Sequence, residues 1–506
     1  MNCIGLKSIT DARGFSISYA YDGVGNLTEL TYPGNKKVIF TYTAWNSLQT
    51  VQNWLGQTAT YYYDDAGRCT GYTHFNGTET YYSLDAANRL TDIDIMSDQS
   101  MWVAWYSYAL DSNGNRTNVT SGVPIPEPSP VTGAESYGYN VARNLLLSSG
   151  MSNFTYDLEG QLSTGYGASY TFDFEHRLTG IGSTAAFTYN GRGNRLQAVR
   201  GTETTRYIHD ASGNLLAETN AENQVRRYYI YGVGLLGMIT TSDNEIYCYH
   251  FDGTGNTIAL TDSLKRTVSG YAYDTFGTIV DQTEWLPQPF KFAGQFGVMA
   301  EPSGLYYMRA RYYDPLVGRF ISEDPTGFSG GDVNLYAYAR NSAANFVDAN
   351  GKIAFNAGAA LVGAGIGVAV GTVSAIYNGG DVWQSALLGA ATGATAGFTF
   401  GASLAVNAVA GASIGVGANL AGQMYSNVTS GISALERVDT LSIFISGASG
   451  AIGASGATLA LRGGAAAADA ALVGSSVAGG AALLWESMSS PISHETSTYN
   501  LSLGGK

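Results

Sequence analysis

Aromatic residues recur along this chain at a mean step of 21 residues, at Tyr21, Tyr42, Tyr63, Tyr82, Tyr108, Tyr139, Tyr156, Phe172, Tyr189, Tyr207, Tyr229, Tyr249 and Tyr273. A period of that length means one small supersecondary unit copied many times, each copy covering the edge of the one before it. Several copies share a tight pattern: YDGVGNL from Tyr21, YDDAGRC from Tyr63, YDLEGQL from Tyr156 and YNGRGNRL from Tyr189. It reads as a β-hairpin turn, in which Asp or Asn accepts hydrogen bonds from nearby backbone N–H groups and Gly supplies a positive φ. The flanking Thr, Tyr and Val residues alternate as half-buried strands do, in SYTFDFEHRL for example, and no 3.6-residue period competes with them. Helices are not expected here. The widest gap in the series surrounds VPIPEPSP at 123–130, a surface loop. Asp22, Asp64, Asp157 and Asp252 all occupy the turn pattern, so they are read as turn residues and not as a calcium or catalytic series.

Composition changes abruptly near residue 351. Of 35 tyrosines 32 precede it, with 56 of the 66 charged residues, whereas the following 155 residues hold 27 glycines and only ten charges. Such a shift marks a domain boundary. A net charge of −14 with no run of Lys or Arg argues against a nucleic-acid partner. Cys3, Cys69 and Cys248 are far apart and odd in number, which suits buried free thiols better than a disulfide framework. His209 and His250 fall at similar places in nearby repeats without a third ligand at useful spacing, so they are read as structural. No metal or cofactor is called for. The N-terminus has no charged head followed by an apolar run, so no Sec-type signal is readable.

Across residues 11–351 the repeats resemble the tyrosine–aspartate (YD) repeats of the Rhs and teneurin-like families. Residues 290–351 carry FKFAGQFG, GLYYMRARYYDPLVGRFISEDPTG and GGDVNLYAYARNSAANFVDANG, which look like the Rhs-associated core sequence. The resemblance implies a mainly β fold: a spiralling antiparallel YD-repeat shell over 1–289, a core over 290–351 that plugs one end, and a variable region over 352–506. Thirteen repeats are fewer than the family's closed shells use, so an incomplete shell with an accessible interior is expected. In that family the core also acts as an aspartic-type self-protease, cutting just after a second Asp-Pro-x-Gly. Autoproteolysis is the only enzymatic activity the resemblance implies. It assigns the catalytic pair to Asp324, in Asp324-Pro325-Thr326-Gly327, and Asp348, in Asp348-Ala349-Asn350-Gly351, with the cut between Lys352 and Ile353. Two carboxylates held close cannot both ionise, so one keeps a proton to donate while the other activates water. This chain departs from the family pattern at Ala349, where proline is expected, and at Lys352, where an apolar residue is usual. Asp314 and Asp332 are secondary candidates.

The region after the core has charge-free spans and glycines every fourth residue, at Gly363, Gly367 and Gly371 and again at Gly389, Gly393, Gly397 and Gly401. On a helix these share one face and allow close packing, a glycine zipper, and apolar stretches of about 20 residues can span a bilayer. A predominantly helical segment over 353–485, with possible membrane contact, is the expectation. Its few titratable residues assemble no enzymatic constellation. Together these features describe the shell and core of a polymorphic toxin or contact-dependent competition protein. It would be secreted or carried to the cell surface by a non-Sec route or by a missing N-terminal part, with an immunity protein as partner. The alternative is a non-enzymatic surface adhesion protein whose aromatics bind cell-surface carbohydrate.

Overall fold

The computed structural model describes residues 6–98, 101–126, 136–140 and 142–356. The expected helices and glycine zipper of 353–485 lie almost entirely outside the described residues. Two long antiparallel sheets hold most of the rest, each with its strands in strict sequence order. The first has eleven strands, from Ser8–Thr10 to Arg116–Gly122, and the second fourteen, from Thr155–Tyr156 to Ile279–Glu284. Neither sheet closes on itself. A three-stranded sheet over Tyr137–Asn153 and a four-stranded one over Met299–Phe320 complete the β structure. Among the described residues helix is confined to three short 3-10 turns, Gly294–Phe296, Gly327–Gly330 and Ala339–Asn341, and no helix is long and apolar enough to cross a membrane.

The turns form as the sequence requires. At Asp22 the carboxylate Oδ1 accepts the N–H groups of Val24 at 3.0 Å and Asn26 at 2.9 Å, and the carbonyl accepts Gly25 N–H at 3.3 Å. Gly25 sits at φ 98°, which an L side chain would resist. Asp64, Asp157 and Asp252 make the same turn, as do Asp85, Asp111, Asp173 and Asp262. In most copies the residue four positions on also closes the second oxygen: Asn26 Nδ2 donates to Asp22 Oδ2 at 2.9 Å and Arg68 Nε to Asp64 Oδ2 at 2.6 Å. Burial works against the Asp64 carboxylate, but these donors outweigh it and hold its pKa below the usual range.

Each turn also carries a bulge. Register slips by one residue just before the turn, between Ala20 and Tyr21, Thr41 and Tyr42, Tyr62 and Tyr63, and Ala272 and Tyr273 among others. A type I turn followed by a left-handed Gly gives this arrangement. The bulge sets the repeat tyrosine so that its hydroxyl reaches the preceding repeat. Tyr42 Oη donates to Leu27 O, Tyr63 to Leu48 O, Tyr189 to Leu178 O, Tyr231 to Leu215 O and Tyr273 to Thr257 O, at 2.6 to 3.0 Å. Leu27, Leu178, Leu215 and Thr257 each stand five residues after a turn Asp.

The first sheet has the half-buried alternation expected of it, as in Lys36–Tyr42. The middle of the second sheet does not. Strands Leu215–Thr219, Gly234–Thr240 and Thr257–Thr261 are buried on both faces. Ile208, Leu216, Ile230, Leu236, Ile239 and Cys248 pack with Ile17, Val38, Val51 and Tyr61 of the first sheet. Their chain neighbours Tyr207, Leu215, Tyr229, Leu235, Met238 and Tyr249 pack the other way, against Phe290, Phe292, Met299 and Tyr306. The second sheet is therefore the middle of three layers, and the strip from Phe290 to Ala349 covers its far face. The accessible interior expected from the repeat count is absent over these strands. Double burial explains their nearly continuous apolar runs.

Tyrosine hydroxyls cross the first interface to backbone groups of the facing sheet. Tyr61 Oη accepts Val233 N–H and Tyr108 Oη accepts Gly253 N–H, both at 2.9 Å, while Tyr32 Oη donates to Tyr229 O at 2.9 Å. His74 from the first sheet meets His250 from the second edge to face, with ring centroids 5.1 Å apart. His74 Nε2 bonds Tyr249 O at 2.9 Å and His250 Nε2 bonds Thr261 Oγ1 at 2.8 Å. Burial depresses both, His74 to about 4 and His250 well below its ordinary value. The half-buried His209 is likewise depressed, by desolvation and nearby arginines, to about 3. All three stay neutral in the fold, whereas in the unfolded chain they take up protons near pH 6.5. The unfolded state thus binds more protons as pH falls below about 6.5, and stability must drop with it. The urea midpoint should be flat above about pH 7 and fall between about 6.5 and 5. His74→Gln should make that slope shallower.

Candidate functional site

The last four-stranded sheet hangs on the hairpin Tyr306–Met308/Arg311–Asp314, whose residues are buried throughout the two strands. Arg311 is one of those residues, with its guanidinium 3.5 Å over the Phe320 ring. A cation in such a place requires partners. Nε donates to Gly351 O at 2.6 Å, Nη1 to Leu335 O at 2.8 Å, and Nη2 faces two carboxylates, Asp324 Oδ2 at 2.9 Å and Asp348 Oδ2 at 3.2 Å.

Both aspartates are held by turns that keep only part of the repeat bonding: Asp324 Oδ1 accepts from the residue two ahead and Asp348 Oδ1 from those four and five ahead. Asp324 O accepts Gly327 N–H at 2.9 Å, and its Oδ1 accepts Thr326 N–H at 2.8 Å and Thr326 Oγ1–H at 2.5 Å. Asp348 O accepts Gly351 N–H at 3.4 Å, and its Oδ1 accepts the N–H groups of Lys352 at 2.9 Å and Ile353 at 3.1 Å. Ala349 therefore does not prevent the second turn, although proline is absent. Asn350 Oδ1 accepts the same two N–H groups, at 3.0 and 3.2 Å, so the Lys352–Ile353 peptide is fixed from both ends of its turn.

The electrostatics divide the pair. Burial raises the Asp348 pKa, Arg311 and the N–H groups of Lys352 and Ile353 pull it back, and Asp324 pushes it up again, leaving it above the ordinary value. Arg311 loses some basicity to burial but remains a cation, as guanidinium groups do. One guanidinium neutralises one carboxylate, so the cluster is uncharged when the other carries a proton. A cleft with about 20 Å³ of free volume, enough for a water molecule, opens among Arg311, Asp324, Gly330, Asp332, Asp348 and Lys352.

The structure thus brings Asp324, Asp348, Lys352 and Ile353 together and places Asp332 on the wall of the same cleft. Asp314 stands apart, accepting Tyr166 Oη–H at 2.8 Å and Leu316 N–H at 3.0 Å. Among the described residues no group of His, Cys, Asp and Glu could hold a metal ion. The sequence reading missed Arg311. Its signal was strand parity: in YYMRARYYD, alternation places Arg311 on the same face as the aromatic Tyr313 and demands anions for it. Also missed was a second buried ion cluster, in which Glu301 of the core strip is held by Arg195 and, at 2.7 Å, by Arg200 of the second sheet.

Removing the cation leaves two buried carboxylates facing each other. Arg311→Ala should cost about 3–5 kcal/mol in urea unfolding. Arg311→Lys, which keeps the charge but not the fork to Gly351 O and Leu335 O, should cost less.

The chain is similar in sequence to several known proteins. The RHS Repeat family profile matches residues 5–37. The tRNA3(Ser)-specific nuclease WapA of Bacillus spizizenii is 33% identical over 258 residues, 48% of this chain and 11% of that protein. Toxin protein Tse5 of Pseudomonas aeruginosa is 37% identical over 109 residues, 22% of this chain and 8% of that one. The chain therefore spans about a tenth of the length of these curated relatives. The crystal structure of TcdB2-TccC3-Cdc42 aligns with 74% of this chain and 22% of that one at 16% identity and a TM-score of 0.48. In its repeats, its core strip and its sequence relatives, the chain is similar to Rhs- and WapA-type toxins.

Proposed function

We propose that this chain is the shell and core of a polymorphic toxin that covers the segment after residue 352 and severs it by cutting itself at Lys352–Ile353. The observation that carries this reading is the Arg311-bridged pair Asp324/Asp348 with the Ile353 N–H on Asp348 Oδ1. In the cut, water oxygen attacks the Lys352 carbonyl carbon while Asp324 takes its proton. The C–N bond then breaks, its electron pair stays on the Ile353 nitrogen, and Asp348 supplies the proton that makes the amine. One water is consumed, and Lys352 ends in a carboxyl group. The raised pKa of Asp348 suits it to the acid role. A toxin of this kind calls for an immunity protein in the cell that makes it, and for a secreted or cell-surface destination.

The test is incubation of the purified chain without added protease, read by intact-mass spectrometry for a fragment ending at Lys352. Cleavage should slow as pH rises and Asp348 loses its proton. Asp324→Asn and Asp348→Asn should each abolish it, because a carboxamide can neither share that proton nor act as base. The double change Ala349→Pro/Lys352→Leu should speed it. If both the wild type and that double variant stay intact across the acid range, the two aspartates are turn residues only and the reading is wrong.

The adhesion reading has one observation behind it. Tyr62, Gly71, Tyr81, Asp94, Trp105 and Gly122 lie directly opposite one another across six strands of the first sheet. Their aromatics are exposed, Tyr62 by 44%, Tyr81 by 42% and Trp105 by 36%. Two strand spacings separate successive rings, about 9–10 Å, and Tyr62 Oη and Tyr81 Oη are tied to Thr73 Oγ1 and Glu79 Oε2 at 2.9 and 2.8 Å. Such a row offers flat faces to a sugar chain. Electrophoresis through gels containing a neutral β-glucan should retard the chain, and Tyr81→Ala with Trp105→Ala should remove the retardation. Equal mobility with and without the glycan would dismiss this reading.

A further inference from the structure

Gly330 closes the short 3-10 turn Gly327–Gly330, on the wall of the Asp324/Asp348 cleft. A Cβ added to it would stand 2.7 Å from Asp324 Oδ2, 3.0 Å from the Lys352 carbonyl oxygen and 3.1 Å from Thr326 Oγ1. The first of these is closer than real Cβ contacts come, and the second is at the limit. The neighbouring glycines differ in kind. Gly327 and Gly331 have positive φ, 57° and 87°, so their backbone conformation accounts for them. Gly327 would meet nothing within 4 Å, and Gly331 only the Arg340 guanidinium. Gly330 is not among the residues with positive φ, so its backbone accepts a side chain. What it lacks is room.

The two atoms that crowd it are the carboxylate oxygen of Asp324 and the carbonyl oxygen of the bond proposed to break. Neither yields readily. Asp324 is held by Arg311 Nη2 at 2.9 Å and by Thr326 through both its N–H and its hydroxyl. The Lys352–Ile353 peptide is held by Asp348 and Asn350, each accepting from two successive N–H groups. A methyl group at position 330 must therefore push the acid off its cation, push the carbonyl off its turn, or fill the gap between them.

We propose that Gly330 is a positioning residue for self-cleavage: its missing side chain keeps open the gap across which Asp324 Oδ2 and the Lys352 carbonyl face each other, and through which water must approach. This rests on the self-cleavage reading above and adds a requirement that Asp324 and Asp348 alone do not impose. Gly330 touches the reacting atoms only through the space it leaves. Its effect is thus on geometry, where a displacement of about 1 Å can cost about a hundredfold in rate.

The experiment compares Gly330→Ala with the parent chain, using the wild type or, if it cuts faster, the Ala349→Pro/Lys352→Leu background. Fragment formation is followed by intact-mass spectrometry across pH, beside urea unfolding of each chain. The expected result is a fall of about a hundredfold in cleavage rate with an unchanged urea midpoint. The residual rate should keep the parent's pH profile, because no titrating group has been removed. Parent-like cleavage by Gly330→Ala would overturn this inference and leave the self-cleavage reading standing. A large drop in the urea midpoint would also overturn it, since Gly330 would then serve packing. If no parent chain cuts, the self-cleavage reading fails and takes this inference with it.

Discussion

The fold depends on one hydrogen-bonded device, a carboxylate or carboxamide that accepts the N–H groups two and four residues ahead of it. Water would serve those N–H groups equally well in an open loop, so each bond contributes only about 0.5–1.5 kcal/mol on its own. Its importance lies in what it fixes. The turn places a residue, often Gly, in the left-handed region, and in the hairpins at Tyr21, Tyr42 and Tyr63 a bulge shifts register by one residue at the same point. A one-residue slip exchanges the two faces of a strand. Repeating the slip identically keeps the faces consistent from hairpin to hairpin, and the tyrosine at the bulge is aimed at the carbonyl of the preceding repeat.

That consistency is what allows the second sheet to be buried on both faces. Adjacent residues such as Leu215 and Leu216, or Leu235 and Leu236, enter different cores. A slip in one hairpin would present the wrong set to each. The layers also differ in how they treat polar groups. Between the two sheets, tyrosine hydroxyls bond backbone groups of the facing sheet. Beneath the core strip, full charges are used: Arg195, Arg200 and Glu301 in one cluster, Arg311, Asp324 and Asp348 in another. Replacing one member of such a cluster strands the rest, so the core strip is tied to its place by partners that have no apolar substitute among the neighbours.

The turns were legible in the sequence because every partner lies within five residues: Asp22, Gly25 and Asn26 can be read off YDGVGN directly. The role of the repeat tyrosines was only half legible. Packing followed from their periodicity, but the bond from Tyr42 to Leu27 spans fifteen residues and exists only once the bulge has been made. Double burial of the strands around Leu235 was missed because a hairpin repeat read alone suggests one wet face. The partner that covers the other face, Phe290 and its neighbours, comes from outside the repeat series. Asp324 and Asp348 came from family resemblance, since as residues they are two turn aspartates among many. Arg311 and Gly330 were not singled out at all, because their significance lies in distances between segments far apart in the chain.

Those two aspartates differ locally from most of the others. In most repeats the residue four positions after the Asp closes its second oxygen: Asn26 for Asp22, Arg68 for Asp64, Arg89 for Asp85, Arg177 for Asp173, Asn256 for Asp252. At Asp324 that position is Phe328, which has no side-chain donor, and at Asp348 it is Lys352, whose backbone N–H goes to Oδ1. Both Oδ2 atoms are left without a partner from their own turn. They meet at a single shared donor, Arg311 Nη2, which can neutralise only one of them. Asp157 also lacks a donor four residues on, since Gln161 Nε2 goes to Glu159 and His176, so it is the convergence of both Oδ2 atoms on Arg311 that sets Asp324 and Asp348 apart.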